Sequence, residues 1–182
     1  MIEVQKKDIR TIERDELAAF LTDNGEKAFR AKQVFEWLWK KGVQDFEGMT
    51  NLSKNTRNLL ENHFVINAIT TTNTQISNDR TIKSAFSTFD GHSIAGVLIP
   101  TKTRMTSCNS SQVGCSLSCS FCATGQLTRS RNLTASEIFD QVVMIGRQSE
   151  EKYGIPLTNI VFMGLGEPLL NYNNVMSSIN LI

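Results

Sequence analysis

Residues 108–122 read Cys-Asn-Ser-Ser-Gln-Val-Gly-Cys-Ser-Leu-Ser-Cys-Ser-Phe-Cys and contain all four cysteines of the 182-residue chain. The last three, Cys115, Cys119 and Cys122, have the spacing C-x-x-x-C-x-x-C. Because Cys119 would have to belong to two ligand pairs at once, a zinc site built from paired C-x-x-C knuckles fits poorly. Three thiolates on one tight loop suit an iron–sulfur cluster in which one iron has no protein ligand. Such an iron can bind a substrate or cofactor, so the spacing predicts a reactive cluster.

Three other roles are possible for these cysteines. Inert, buried cysteines are usually scattered, and the tight clustering in a polar context argues against them. Disulfides are disfavoured because the spacings are short and nothing in the sequence suggests secretion. A closed four-cysteine cluster or zinc ribbon with Cys108 as the fourth ligand stays open at this point.

The composition is that of an ordinary globular protein, with 40% hydrophobic and 20% charged residues. A formal charge of +1 argues neither for nor against a nucleic-acid partner, because a local patch can bind phosphates. The amino terminus has no apolar core after its charges, so we expect no signal peptide. No apolar run approaches the roughly 18 residues of a membrane helix. We expect a cytoplasmic protein with no membrane partner.

The amino-terminal part, residues 1–64, reads as a small helical domain. Leu17, Phe20 and Leu21 have helical spacing before a stop at Asn24-Gly25. A second apolar stripe runs over residues 29–38, and Ser53 can cap a third helix. The basic residues that could form a phosphate-binding face are Lys27, Arg30, Lys32, Lys40, Lys41, Lys54 and Arg57. Interleaved acidic residues favour a solvated face when this segment is taken alone.

Residues 65–100 predict a β linker. Asp90-Gly91 lies between the β-rich runs Ile82–Phe89 and Ser93–Ile99, which is a β-hairpin signal, and Pro100 ends the second run. Beyond it, residues 101–136 contain Lys102, Arg104, Arg129 and Arg131 and no acidic residue. This stretch should attract a polyanion or the carboxylate of a small cofactor.

The last segment, residues 101–182, predicts two βα units of a parallel α/β domain. Thr134-Ala-Ser-Glu137 is a capping box for a helix that should end near Gly154. Asn159–Met163 reads as a short, buried parallel strand that runs into Gly164-Leu-Gly-Glu-Pro168. Because ligands of such domains lie at the carboxyl ends of the strands, we expect the cysteine loop and the Gly166-Glu167 turn to come together.

The motifs resemble those of a known family. Phe121 before the last cysteine makes the loop similar to the radical S-adenosylmethionine (SAM) signature. The stretches Cys108–Cys115, Phe121-Cys-Ala-Thr-Gly, Arg131-Asn-Leu and Met163-Gly-Leu-Gly-Glu-Pro-Leu-Leu-Asn171 resemble the RNA adenine-C2 methyltransferases of the RlmN/Cfr group, closest to RlmN. Phe29-Arg-Ala-Lys-Gln-Val-Phe-Glu-Trp-Leu-Trp and Met49-Thr-Asn-Leu-Ser-Lys resemble their RNA-contacting amino-terminal domain. The resemblance raises the RNA-binding interpretation above the solvated face.

The resemblance implies the start of a partial (β/α) radical-SAM barrel, preceded by the helical domain and the β-hairpin linker. It implies a 4Fe-4S cluster on Cys115, Cys119 and Cys122, and SAM bound at Gly166 and Glu167. Partners would be 23S rRNA, tRNA and an electron donor such as flavodoxin. In the family, SAM methylates one cysteine, a 5′-deoxyadenosyl radical activates that methyl group, and the resulting radical adds to carbon 2 of adenine. A second cysteine, matched by Cys108, then releases the RNA and forms a disulfide.

Two departures from the family pattern stand out. Ala95 occupies the place of a glutamate that the family uses as a proton acceptor, and alanine cannot take a proton. The sequence ends at Ile182 in the second βα unit, and the methyl-carrying cysteine is not among its four cysteines. We therefore expect a carboxy-terminally truncated fragment that does not methylate RNA alone.

Two other functions remain open. A non-enzymatic RNA-binding or electron-transfer module would carry a closed four-cysteine cluster or zinc, with Cys108 as a ligand. Another radical-SAM enzyme, such as an activase, would have the cluster but would not bind RNA.

Overall fold

The computed structural model describes residues 6–117, 119–126 and 128–182; Met1–Gln5, Ser118 and Leu127 lie outside the described residues. The chain divides into two compact units, with the boundary between Asn67 and Ala68. Among the described residues, no helix is both long enough and apolar enough to cross a membrane.

The first unit contains the three predicted helices, α1 (Arg14–Asp23), α2 (Phe29–Trp39) and α3 (Lys54–His63). Strand β1 (Lys7–Asp8) pairs in parallel with β2 (Phe64–Val65), so the two ends of the unit meet. The predicted cap of α3 is confirmed, because the Ser53 side chain accepts a hydrogen bond from the Thr56 amide. The core of the unit is formed by Ile9, Leu17, Leu21, Val34, Leu38, Met49 and Leu60, all nearly or fully excluded from solvent.

The second unit is built on a five-stranded sheet with the order β3-β4-β5-β6-β9. Its strands are β3 (Thr70–Ile76), β4 (Ile82–Ser87), β5 (Ser93–Pro100), β6 (Met105–Cys108) and β9 (Asn159–Val161). Strands β3 to β6 are antiparallel neighbours, and β6 and β9 are parallel. The hairpin predicted around Asp90-Gly91 is confirmed as β4–β5.

Two further strands, β7 (Gln112–Val113) and β8 (Arg131–Asn132), form a small separate ladder. Helix α4 (Ala135–Tyr153) connects β6 to β9, and α5 (Tyr172–Leu181) follows β9. The order of strand, cysteine loop, helix, strand, glycine turn and helix is therefore confirmed.

Helix α4 begins and ends as its sequence predicts. Thr134 and Glu137 form both hydrogen bonds of the capping box, and Gly154 ends the helix with a left-handed φ of 67°. The apolar face of α4, with Ile138 and Ile145, packs in one core with the sheet residues Ile82, Phe86, Ile94 and Leu98. Helix α4 thus covers one face of β4 and β5, whereas β3 is exposed along its whole length.

Two sequence-based expectations change here. The strands of residues 65–100 are not a separate linker sheet, because β3, β4 and β5 continue the sheet of β6 and β9. The parallel strand predicted at Asn159–Met163 is present, but β9 is only partly buried and ends at Val161. Its place at one end of the five-stranded sheet explains the exposure, because an end strand has a paired neighbour on one side only.

We predict that Thr134→Ala lowers the free energy of unfolding of the second unit by about 1 kcal/mol, because it removes the acceptor for the Glu137 amide. Thr134→Ser keeps a hydroxyl at the cap and should lose much less. Urea titrations followed by circular dichroism measure both variants. Equal losses for alanine and serine would show that the hydroxyl is not the stabilising group.

Candidate functional site

The base of the cysteine loop is hydrogen-bonded along its backbone to the glycine turn. After β6, the Asn109 carbonyl accepts a hydrogen bond of 3.0 Å from the Gly164 amide. Ser111 then donates its amide to the Leu165 carbonyl at 2.8 Å. The predicted meeting of the loop and the turn at the carboxyl ends of β6 and β9 is thus confirmed by direct bonds.

Glycine is required twice in this turn because the loop backbone passes directly over it. A Cβ atom on Gly164 would lie 2.7 Å from the Ser110 amide nitrogen, closer than real side chains approach. Gly166 has a φ of +95°, and a Cβ there would collide with the Gln112 side chain. The Gly-Leu-Gly sequence is therefore a packing requirement of the loop base.

Two buried amide side chains fix the same backbone from the other side. Gln141 of α4 accepts from the Ser110 amide at 2.9 Å and donates to the Ser110 carbonyl at 3.1 Å. Asn171 donates to the carbonyls of Ser111 and Leu133 at 2.7 and 2.8 Å. The role of Gln141 in holding the loop could not be predicted from the sequence. No local sequence pattern indicates it, because a glutamine within a helix normally faces solvent.

The loop that carries Cys115, Cys119 and Cys122 is closed by a β ladder. Gln112–Val113 pairs with Arg131–Asn132, and the Ser130 amide donates to the Val113 carbonyl at 2.8 Å. Gly114, with φ +72°, passes so close to Thr128 that any side chain would collide with the Thr128 carbonyl. The loop is thus anchored at both ends, and its middle carries the cysteines.

The cysteines differ in exposure. Cys119 is exposed, whereas Cys108, Cys115 and Cys122 are partly buried. The short 3₁₀ turn Ala123–Gln126 follows Cys122, and hydrogen bonds from Gly125 and Thr124 lower the pKa of the Cys122 thiol. The thiolate form is the metal ligand, so this environment favours ligation.

The pKa of the Cys108 thiol shifts in the opposite direction. Cys108 ends β6, and burial raises the pKa of its thiol, although a hydrogen bond from the Met163 amide opposes the increase. Within residues 6–117, 119–126 and 128–182, no three His, Cys, Asp or Glu side chains are gathered closely enough to hold a metal ion. The fit to an iron–sulfur cluster therefore rests on the donor chemistry: three thiols on one anchored loop, with one thiolate favoured by amide donors.

An arginine between two carboxylates joins the hairpin, the loop and α4. The Arg131 guanidinium contacts Asp90 at 2.7 and 2.8 Å and Glu137 at 2.7 and 2.8 Å. Hydrogen bonds from Arg131 hold the pKa of the Asp90 carboxyl well below its usual range. His92 extends the group, with Nδ1 3.2 Å from Asp90 and Nε2 2.8 Å from the Ser130 hydroxyl. The sequence predicted only a hairpin turn at Asp90-Gly91. In the structure this turn also holds the end of the cysteine loop in place.

Arg131 differs from the expectation that it helps to attract an anionic ligand together with Lys102, Arg104 and Arg129. Its charge is instead paired inside the protein with Asp90 and Glu137. Lys102, Arg104 and Arg129 remain exposed.

Ala95 lies on the same face of the sheet as Cys108. Val97 is the registered neighbour of Cys108, and Ala95 points the same way as Val97 because side chains alternate along a strand. The Ala95 carbonyl accepts a hydrogen bond of 2.6 Å from the Ser110 hydroxyl, which ties β5 to the loop base. A glutamate at this position would face the cysteine side of the sheet.

The seven basic residues of the predicted phosphate-binding face fall into two groups. Arg30 and Arg57 bond within the unit, to Gln33 and to the Glu47 carbonyl, and Lys41 lies over the Trp37 ring at 3.5 Å. The remaining lysines of the predicted face, all exposed, are Lys27, Lys32, Lys40 and Lys54.

The mixed α/β fold matches that of a solved protein of the radical-SAM class. A solved radical SAM methyltransferase from Sphaerobacter thermophilus superposes with a TM-score of 0.84 and 39% sequence identity. The superposition covers 96% of this chain and 51% of that protein. Residues 7–66 match the family model described as the ribosomal RNA large subunit methyltransferase N-terminal domain.

The chain is related along almost its whole length to proteins named RlmN. A probable dual-specificity RNA methyltransferase RlmN from Cytophaga hutchinsonii is 58% identical over 98% of the chain and 49% of that relative. A dual-specificity RNA methyltransferase RlmN from Geotalea uraniireducens is 42% identical over 98% of the chain and 50% of that relative. The resemblance stated from the motifs is confirmed, and the chain spans about half the length of the curated relatives it matches.

We predict that Cys115→Ala, Cys119→Ala and Cys122→Ala each abolish the cluster formed by anaerobic reconstitution, because each removes one of three thiolate ligands. Cys108→Ala is the matched control and should keep its iron and sulfide. Iron and acid-labile sulfide per chain are measured together with the electron paramagnetic resonance (EPR) spectrum of the reduced protein. Equal iron loss in Cys108→Ala would indicate the closed four-cysteine centre instead.

We predict that Asp90→Asn lowers the free energy of unfolding at about pH 7 by about 1 kcal/mol, because Arg131 loses one anionic partner. Since the folded-state pKa of Asp90 is lowered, its stabilisation is present above about pH 4 and is lost as the pH falls through the folded value. The difference between wild type and variant should therefore shrink toward about pH 3 in urea titrations. Glu151→Gln, an exposed charge removal on α4, is the control and should show no such pH dependence. A pH-independent difference for Asp90→Asn would contradict the ion-pair role.

Proposed function

We propose that these residues provide the cluster-binding, cofactor-binding and RNA-contacting parts of an enzyme that methylates carbon 2 of adenine in 23S rRNA and tRNA. One observation carries the proposal: the backbone of the cysteine loop is bonded directly to the Gly164–Glu167 turn. A cluster on the loop and a cofactor on the turn would then be neighbours. The motif resemblance and the RlmN relatives support the same function.

Cys115, Cys119 and Cys122 are the proposed iron ligands. Methyltransferases of this group use a 4Fe-4S cluster and SAM. When bound, these groups supply the radical chemistry that a non-nucleophilic ring carbon requires. The protein contributes an anchored loop, a favoured thiolate at Cys122 and an exposed position at Cys119.

Gly166 and Glu167 are the proposed cofactor contacts. A backbone carbonyl and a carboxylate can both accept hydrogen bonds from the amino group of SAM. The Glu167 carboxylate already accepts the Leu169 amide at 3.0 Å, and its own amide donates to the Gln112 side chain at 2.9 Å. These bonds orient Glu167 before a cofactor arrives, which reduces the entropy lost on binding.

Cys108 is the proposed resolving cysteine. Burial raises the pKa of its thiol, which lowers the fraction of the thiolate that oxidants attack. A hydrogen bond from the Met163 amide, one residue before the glycine turn, supports a role for Cys108 near the proposed cofactor site. Attack of Cys108 on a methylated cysteine would release the RNA and leave a disulfide.

The proposed partners follow from these roles. The exposed lysines of the first unit would contact rRNA and tRNA phosphates, and a flavodoxin-like donor would reduce the cluster. We place the enzyme in the cytoplasm, where thiols stay reduced and the cluster can assemble.

The function can be tested in a chimera. Residues 1–182 replace the aligned half of the Cytophaga hutchinsonii relative, which is 58% identical over this region. We expect 2-methyladenosine in rRNA and tRNA by mass spectrometry after anaerobic reaction with SAM and a reductant. The Cys119→Ala chimera is the inactive control, and the isolated 182-residue chain should also give no product. A folded, cluster-loaded chimera without 2-methyladenosine would contradict the proposal.

The same chimera tests the missing proton acceptor. Ala95→Glu should shorten the lifetime of the protein–RNA adduct by roughly 10²-fold or more, as general bases typically do. Ala95→Gln matches the size of glutamate without a base and should leave the lifetime unchanged. An equal effect of both substitutions would mean that packing, rather than proton transfer, changes the rate.

A further inference from the structure

One face of the five-stranded sheet carries Cys108 and is polar at its β3–β4 end. We call it the Cys108 face; its side chains include those of Asn73, Gln75, Lys83, Ala85, Ala95, Val97, Ile99 and Cys108. The register places Gln75 beside Lys83, Lys83 beside Val97, and Val97 beside Cys108. With neighbouring strands about 4.8 Å apart, the backbone of Lys83 lies about 10 Å from that of Cys108.

The charge on this face has one sign. The five strands contain no Asp or Glu, and Lys83 is their one charged residue. Lys83 is exposed, and its ammonium group forms no ion pair with a described residue. Because Ala95 replaces the carboxylate expected on this face, nothing there compensates the lysine.

The shape of the face suits an extended ligand. A cleft of about 200 Å³ is lined by Asn73, Gln75, Lys83 and Ala85. Ala85 and Ala95 are neighbours in the strand register, and their small side chains leave a shallow depression. The amide groups of Asn73 and Gln75 and the ammonium group of Lys83 lie next to it. The cleft is smaller than a typical small-molecule pocket, and its groups match a phosphate and a ribose hydroxyl.

Protection of the sheet edge does not account for Lys83. Edge strands often carry lysine to prevent pairing with other chains. The edge here is β3, whose residues are all uncharged and exposed, whereas Lys83 lies on β4 with partners on both sides. A bulge between Thr71 and Asn73 already interrupts the edge.

We propose that Asn73, Gln75 and Lys83 bind the ribose-phosphate backbone of the RNA strand that carries the target adenine. This inference rests on the proposed function, because it takes the region around Cys108 as the place where the adenine reacts. Lys83 neutralises a phosphate, and the two amides bond to phosphate or ribose oxygens. The strand then runs over β4 and β5 toward the cysteine loop.

The test compares Lys83→Gln, which removes the charge, with Lys83→Arg, which keeps it. Lys152→Gln, an exposed lysine in the last turn of α4, is the matched control. Binding of a short single-stranded RNA to the 182-residue chain is measured across salt concentrations. Lys83→Gln should weaken binding roughly fivefold at low salt and reduce the salt slope by about one phosphate contact. Lys83→Arg and Lys152→Gln should bind like wild type.

A second measurement locates the contact. Acetylation of lysines by an N-hydroxysuccinimide ester, read by mass spectrometry, should show Lys83 protected by RNA and Lys152 unprotected. RNA binding with neither loss in Lys83→Gln nor protection of Lys83 overturns this inference and leaves the proposed function standing. No RNA binding by the wild-type chain overturns this inference and the RNA-contacting role in the proposed function together.

Discussion

The structure of the site depends on the backbone hydrogen bonds between the base of the cysteine loop and the glycine turn. These bonds lie where two parallel strands end, so every donor and acceptor there would otherwise be left without a strand partner. Gly164 and Gly166 allow the two segments to approach closely. The close approach excludes side chains and leaves backbone amides and carbonyls as the contacting groups. The base of the cysteine loop is thereby attached to the ends of β6 and β9.

The second support of the loop is electrostatic. Arg131 connects the β4–β5 hairpin to the first turn of α4 through Asp90 and Glu137. Glu137 therefore serves both in the capping box and in the ion pair, and its side chain is almost completely buried. A carboxylate so buried needs both the amide donors of the cap and the guanidinium to offset its lost hydration. This coupling makes the start of α4 and the end of the cysteine loop one structural element.

The two faces of the five-stranded sheet carry different kinds of side chain. The face opposite Cys108 packs apolar side chains against α4, which leaves the cysteine side free for polar groups. Because successive side chains along a strand point to opposite faces, the side chains that pack against α4 lie on one face and those beside Cys108 on the other. Val97 lies between Lys83 and Cys108 in this arrangement, and Ala95 is the next residue of β5 on the same face.

The sequence by itself determined the elements with local chemistry: the three amino-terminal helices, the Asp90-Gly91 hairpin, the α4 capping box and the order of the two βα units. It also predicted that the cysteine loop and the glycine turn meet, because strand ends meet at one edge of a parallel sheet. Only the tertiary structure decided that β3–β5 continue this sheet, that β9 is partly exposed, and that Arg131 is paired. Each depends on contacts between residues far apart in the chain, such as Asp90 with Arg131 or Gln141 with Ser110. No local periodicity or spacing encodes such pairs, since propensity and capping act within a few residues, whereas register and ion pairing are set by packing.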